Sequence, residues 1–306
     1  MNKKIEQGLL GVFVGDALGV PVEFDPRSSL EKNPVTDMRE YGTYNQPKGT
    51  WSDDGSLTLA SIHAFAQEDN LFQLMDKFVK WYKKSKYTAT GTVFDIGNQT
   101  RKALDNYIST GELTEFGETD PNSNGNGSLM RMMPIALIYA YETNKDIVEY
   151  SSYASALTHG HVISKACCAW YCVAAANIFK RMDKQEAFDI ATSVVKSGYP
   201  ETSEPMRKIY NNEIQNLSNN EISSDGYVVH SLEAAIWCLH NNSTYMTAVL
   251  EAVNLGSDTD TTAAITGGLA GLLYKDIPQE WIDTLQKKEM ILDIIKKFER
   301  QFDAYK

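Results

Sequence analysis

Cysteine is scarce in this chain: Cys167, Cys168, Cys172 and Cys238 are the four among 306 residues. That is too few, in too long a chain, for a disulfide framework. Three of them fall in the small, apolar run 165–177, where buried core thiols are the expected state. No Cys-x-x-Cys zinc pattern occurs, so the cysteines point to a reducing cytoplasm. Long cationic runs are lacking as well, and the formal charge is −11. A surface that neutralises duplex phosphates needs clustered Lys and Arg, so nucleic acid and anionic membranes are not expected partners. No stretch approaches the roughly 20 apolar residues that span a bilayer. Lys3 and Lys4 followed by the apolar run 8–15 imitate a signal peptide, but Asp16 interrupts the run and no convincing A-x-A site follows. The expectation is a cytoplasmic protein without membrane contact.

Alternating β-branched runs are almost absent, the longest candidate being 226–230. What is present is helical periodicity. Apolar residues recur at three- and four-residue spacing over 57–65, 71–83, 97–108, 129–142, 163–179, 184–197, 229–240, 245–253 and 281–297. Pro, Gly, Asn and Asp punctuate these segments at 21–34, 42–55, 118–127, 198–205 and 219–226, which read as loops. There is no long Gly/Ser or Pro-rich linker and no repeat of fixed period. The expected architecture is one compact all-α domain over residues 1–306.

Two acidic clusters each precede a helical pattern. Ser52, Asp53 and Asp54 stand before the first, where Ser or Asp caps orphan N–H groups and carboxylates suit the positive end of the dipole. Asp258, Thr259, Asp260 and Thr261 stand before the second, which contains Gly267, Gly268 and Gly271. Each such glycine costs roughly 0.8–1.0 kcal/mol against Ala inside a helix. Glycine is tolerated there when another backbone or a ligand approaches closely. Capping needs a single oxygen acceptor, whereas the two clusters hold four carboxylates. If folding brings them together, a hard divalent cation relieves their repulsion, and all-oxygen ligands suit Mg²⁺ or Mn²⁺ rather than zinc. Nothing in the spacing demands that contact. Between them, Asn126, Gly127 and Ser128 precede the pattern starting at Leu129. Exposed N–H groups at a helix start, with glycine allowing close approach, suit a diphosphate, although Asn-Gly also marks ordinary turns. Arg131 follows, able to pair with a phosphate or a structural carboxylate.

The runs GDALGVPVEF (15–24), GTWSDD (49–54), FDIG (94–97), GNGSLMR (125–131), THG (158–160) and GSDTDT (256–261) occur in an order that resembles the ADP-ribosylglycohydrolases. The resemblance covers roughly residues 5 to 295 and is closest to the dinitrogenase reductase-activating branch. It implies an orthogonal multi-helix bundle with a binuclear Mg²⁺ (or Mn²⁺) cleft, ligated by Ser52, Asp53, Asp54, Asp258, Asp260 and Thr261. It also implies that Glu23 lies on a loop over the metals, with Glu23 or a metal-held aspartate such as Asp260 as general base. Asp95 matches the acid that faces a departing guanidinium; on its own it reads equally as a cap for the helix at 97–108. His159 falls in the ADP-ribose cleft, with Asn126, Gly127 and Ser128, whereas His161 has no such match and reads as structural. The implied activity is hydrolysis of ADP-ribose from a modified acceptor, arginine on protein first. Its rivals are serine-, nucleobase- or metabolite-linked ADP-ribose and a catalytically silent or structural relative. The expected partner is an ADP-ribosylated protein or small molecule, met by a monomer.

Overall fold

The computed structural model describes residues 2–68, 70–112 and 117–304. Helices carry the whole architecture, and no strand occurs among the described residues. The order is α1 (Lys3–Gly19), α2 (Arg27–Leu30), α3 (Asp53–Phe65), α4 (Leu71–Lys84) and α5 (Asn98–Thr110). Then follow α6 (Met133–Ile138), α7 (Asn144–Ala156), α8 (Val162–Phe179), α9 (Lys184–Gly198) and α10 (Arg207–Tyr210). The last are α11 (Val228–Asn241), α12 (Tyr245–Asn254), α13 (Thr259–Tyr274), α14 (Gln279–Thr284) and α15 (Lys288–Ala304).

The centre of the molecule is a seam between α1 and α13. A Cβ on Gly11 would stand 2.1 Å from the Gly267 carbonyl oxygen, and one on Gly267 would stand 2.2 Å from that of Gly11. Gly15 against Ala263 and Gly271 against Gln7 repeat the contact at 2.1 Å. Backbone therefore lies directly on backbone along the two helices. Tyr245 locks the seam by donating its hydroxyl to the Gly11 carbonyl at 2.8 Å. Gly267 and Gly271 thus answer to another backbone, and Gly268 to the Tyr171 hydroxyl and the Met133 side chain, rather than to a ligand, and the close packing offsets their helical cost of about 3 kcal/mol together.

Several segments differ from the periodicity. The run that imitates a signal peptide is α1 itself, capped by the Asn2 side chain, which accepts from the Lys4 N–H at 3.1 Å. Both α1 and α8 are long and apolar enough, by length and composition, to cross a bilayer, which corrects the expectation that no stretch is; both lie almost wholly inside the fold. The run 226–230 is no strand, since Val228 opens α11. The pattern 129–142 breaks into a 3-10 turn, Leu129–Arg131, and the short α6, because Pro134 lacks the N–H that a continuous helix needs and sits instead in the first turn of α6. The pattern 281–297 splits into α14 and α15 at Leu285–Lys287, with Lys287 at φ 52°. That break anchors the loop before α3: the Gln286 N–H donates to Gly49 O at 2.9 Å, and the Trp51 indole donates to Gln286 O at 3.0 Å.

The seam makes a sharp prediction. Gly15→Ala should destabilise by about 3 kcal/mol or more, because a methyl group inside a carbonyl forces the helices apart. Gly198→Ala, at a position with nothing within 4 Å of the added Cβ, should leave stability unchanged or slightly higher. Urea midpoints measure both, and equal midpoints for Gly15→Ala and wild type would show that the helices need not touch.

Candidate active site

The site begins with one buried acid on α1. Asp16 is fully buried and accepts the Ser52 N–H at 2.9 and 3.0 Å and the Gly55 N–H at 2.7 Å. It thereby fixes the N-terminus of α3. Burial pushes Asp16 up to about 7, against the pull of its N–H donors. The sequence marked Asp16 only as an interruption of an apolar run, and that single carboxylate in a buried helix was the available signal of its role. Ser52 is the N-cap of α3, its hydroxyl accepting from the Asp54 N–H at 3.3 Å, so the capping function is real. Asp53 and Asp54 occupy the first turn, both buried.

The second cluster lies against the first. The Thr261 hydroxyl donates to Asp54 Oδ2 at 3.2 Å, and so does the Ser52 hydroxyl, also at 3.2 Å. Asp260 is fully buried at the start of α13, its Oδ1 accepting from the Thr261 N–H at 2.9 Å. Asp258 holds the N-cap position of α13 without capping it. Its carboxylate instead accepts from the Asn126 amide at 2.7 Å.

Two further acids come from loops. Glu23 follows the 3-10 turn Val20–Val22 and is buried. Its loop is tied to the Asp258 loop by reciprocal backbone bonds: Phe24 N–H to Ser257 O at 2.7 Å and Ser257 N–H to Asp25 O at 2.8 Å. Asp95 has φ 49° and does not cap α5, whose N-cap is Gly97 with no side-chain bond; the capping alternative for Asp95 falls. One carboxylate oxygen each from Glu23, Asp95 and Asp260 lies within 4.8 Å of the other two. The Tyr44 hydroxyl, which the sequence did not single out, lies beside Glu23 and Asp95 and pulls against the upward shift that burial gives both carboxyls.

Electrostatically the cluster is uncompensated. Burial raises Glu23 to about 9, with Asp95 and Asp258 adding repulsion, and burial raises Asp95 to about 6. Asp53, Asp54 and Asp260 are held well above the usual carboxylate range by burial first, then by Asp95, Asp16 and Glu23 respectively. Asp258 is raised by burial and partly relieved by Asn126. Glu23 Oε2, Asp54 Oδ1 and Asp260 Oδ2 are buried with no hydrogen-bond partner. Partnerless, convergent, hard oxygen donors are the donor set of a divalent cation such as Mg²⁺ or Mn²⁺, and the residues fit one.

Glu23, Asp53, Asp95, Asp258 and Thr261 form one wall of a cleft of about 240 Å³, with Asp54 and Asp260 buried behind them. Gly97, Asn98, Gln99, Gly125, Asn126, Gly127, Met130 and His159 line the rest, with no Lys or Arg among the lining. The His159 ring is buried, its Nδ1 paired with the Thr158 hydroxyl at 2.8 Å; burial and nearby Arg131 push it down to about 3, so it is a neutral imidazole. Gly127 lies over that ring, where a Cβ would stand 3.1 Å from His159 Cε1. The Asn126 amide is committed to Asp258 and, at 2.8 Å, to the Ser231 hydroxyl. Asn126 therefore orients a carboxylate as well as lining the cleft. Ser128 is a correction. Its side chain is fully buried away from the cleft, bonded to the Ser155 hydroxyl at 2.9 Å and Cys168 Sγ at 3.3 Å. The turn behind it, Leu129–Arg131, has three residues and is a 3-10 turn rather than the start of an α-helix. Arg131 pairs with no carboxylate: it is fully buried, donating to Ala154 O at 2.9 Å and the Thr158 hydroxyl at 3.0 Å, over the Phe78 ring. His161 is structural, capping α8.

The family model for ADP-ribosylglycohydrolases matches residues 1–305. The chain is 32% identical over 300 residues to the ADP-ribosylarginine hydrolase Tri1 of Serratia proteamaculans, covering 96% of this chain and 78% of that protein. It is 26% identical over 309 residues to the ADP-ribosyl-[dinitrogen reductase] glycohydrolase of Rhodospirillum rubrum, covering 96% and 92%. A solved structure described as an ADP-ribosylglycohydrolase-related protein complex superposes with a TM-score of 0.82 at 26% identity, covering 98% of each chain.

The raised carboxylates have a thermodynamic signature. Their proton affinities exceed those of the unfolded chain, so the folded state binds more protons, and cation-free protein should lose stability as pH rises from about 6 to 9. Saturating Mg²⁺ should flatten that slope. Asp260→Asn removes one repelling charge and should raise the unfolding free energy from urea titration in chelator by on the order of 1 kcal/mol, while gaining less from Mg²⁺ than wild type does. Identical midpoints with and without Mg²⁺, in both proteins, would refute a cation site.

Proposed function

We propose, because the chain belongs to the ADP-ribosylglycohydrolase family of glycosyl-bond hydrolases, that it removes ADP-ribose from arginine side chains with the help of two Mg²⁺ (or Mn²⁺) ions. The observation that carries the reading is the gathering of buried carboxylates from separate segments beside one cleft: Glu23, Asp54 and Asp260 each keep a partnerless oxygen, and Glu23, Asp95 and Asp260 lie within 4.8 Å of one another. Ser52, Asp53, Asp54, Asp258, Asp260 and Thr261 would hold the cations. When bound, the cations supply charge neutralisation and Lewis-acid polarisation of the reacting water and ribose hydroxyls.

The chain's own groups divide the remaining work. Glu23 presents its free Oε2 to the cleft and accepts the proton of the attacking water. The water oxygen bonds to the anomeric carbon as the carbon–nitrogen bond breaks with its electron pair going to nitrogen, and the neutral guanidine so released takes up the proton that the water gave to Glu23, which returns the carboxylate. Tyr44 positions Glu23 and Asp95 relative to one another. Asp16 acts at a distance, holding the α3 terminus on which Ser52, Asp53 and Asp54 are displayed. His159 and Gly127 supply a neutral, close-packed floor against which a sugar or diphosphate rests.

Arginine as acceptor rests on the 32% identity to an ADP-ribosylarginine hydrolase and on Asp95. A second reading is an O-linked acceptor such as serine, and one observation favours it. One Asp95 oxygen lies within 4.8 Å of Glu23 and Asp260, so the acid is packed among other carboxylates rather than standing alone to receive a guanidinium.

The test is release of ADP-ribose from arginine-, serine-, cysteine- and guanine-linked substrates, with chelator and with Mg²⁺ or Mn²⁺ restored. Arginine-linked substrate should be cleaved fastest, and chelator should abolish turnover. In Glu23→Gln, kcat should fall by about 10²–10⁴-fold with ADP-ribose affinity retained. Faster cleavage of serine-linked substrate would transfer the assignment to the second reading, and full activity in chelator would remove the cations from it.

A further inference from the structure

Glu23 and Tyr44 belong to two short segments, 20–25 and 41–46, that pack on each other beside the cleft. The Thr43 hydroxyl donates to Glu23 O at 2.7 Å, and a Cβ on Gly42 would stand 1.8 Å from the Pro21 carbonyl oxygen. Each segment carries one large ring that the fold leaves in water: Phe24 is 66% exposed and Tyr41 54%. Single exposed apolar side chains are ordinary and need no explanation. The backbone makes these two different. Phe24 has φ 66° and Tyr41 has φ 64° with ψ −104°, conformations that glycine or asparagine adopts far more readily than a bulky side chain. Holding such residues there costs of order 1–3 kcal/mol each. Neither ring offsets that cost by burial within this chain. The mount is also rigid, since the reciprocal bonds between the Phe24 segment and Ser257 fix it to the loop that carries Asp258.

We propose that Phe24 and Tyr41 form a docking rim for the polypeptide that surrounds the ADP-ribosylated side chain. The inference rests on the reading that the substrate is an ADP-ribosylated protein. Both rings are continuous in sequence with groups that face the reacting atoms, yet neither lines the cleft, so ADP-ribose seated in the cleft does not use them. A chain with net charge −11 disfavours a polyanionic occupant. Exposed aromatic faces take the aliphatic and guanidinium surfaces of a polypeptide, and rings on a rigid mount lose little freedom on binding.

The experiment compares kcat/KM for an arginine-ADP-ribosylated protein and for free ADP-ribosylarginine in wild type, Phe24→Asn, Tyr41→Gly and the double variant. Asn and Gly accept the existing backbone, so the loops keep their shape without the rings. The double variant should lose about tenfold or more on the protein substrate, mainly through KM, and stay within about twofold of wild type on the free compound. Equal changes on both substrates, or none on either, would overturn the rim while leaving wild-type hydrolysis standing. Wild type that cleaves neither substrate would overturn the arginine-hydrolase reading and the rim with it.

Discussion

The contact between the backbones of α1 and α13 is the constraint from which the site follows. Helices packed through large side chains sit 8–10 Å apart, whereas a glycine stripe lets carbonyl oxygens rest on the facing chain. That closeness fixes the ends of both helices. A Cβ on Gly19, at the end of α1, would stand 2.3 Å from the Asp260 Cα, so the exit of one helix and the acidic entry of the other share a corner. Three residues before Gly19 stands Asp16, the clamp on α3. One close contact thus sets the position of the two acidic clusters that meet between Thr261 and Asp54.

What the seam assembles is costly on its own terms. Carboxylates with buried, partnerless oxygens repel one another, and the N–H donors around Asp16 and the amide of Asn126 relieve only part of that repulsion. On the function proposed above, the same partnerless oxygens are the hard donors that a divalent cation would neutralise, so the arrangement that weakens the isolated chain is the one that would hold the ion. Affinity for the cation and instability without it are two aspects of one geometry. The neutral imidazole of His159 and the absence of Lys and Arg from the cleft lining keep the positive counter-charge external.

Much of this was legible in the residues. The nine periodic segments correspond to helices because apolar faces at three- and four-residue spacing have one stable solution. Asp-x-Asp-Thr exceeded what a cap requires, and Gly267 and Gly271 announced a close backbone neighbour. The misses have physical causes. Pro134 and the Leu285–Lys287 break sit inside unbroken apolar periodicity, and local backbone geometry there outweighed the pattern. Ser128 lies in a glycine-rich run, yet its side chain turns toward Ser155 and Cys168, a choice set by tertiary packing that spacing cannot reveal. Tyr44 sits in a loop with no periodicity, and only the fold brings its hydroxyl to Glu23 and Asp95.

The two partners of the seam lie far apart in the chain: Thr259 donates its hydroxyl to Gly19 O across 240 residues of sequence. On a ribosome that adds about 5–20 residues each second, the N-terminal helix waits roughly 12–48 s for its partner to emerge. Through that interval an apolar helix long enough to cross a bilayer has no final place to bury its surface. The nascent chain therefore depends, for its first tens of seconds, on temporary cover for α1, whether from collapsed neighbours or from a chaperone. Hydrolytic competence arrives only after α13 has been made and has closed on α1.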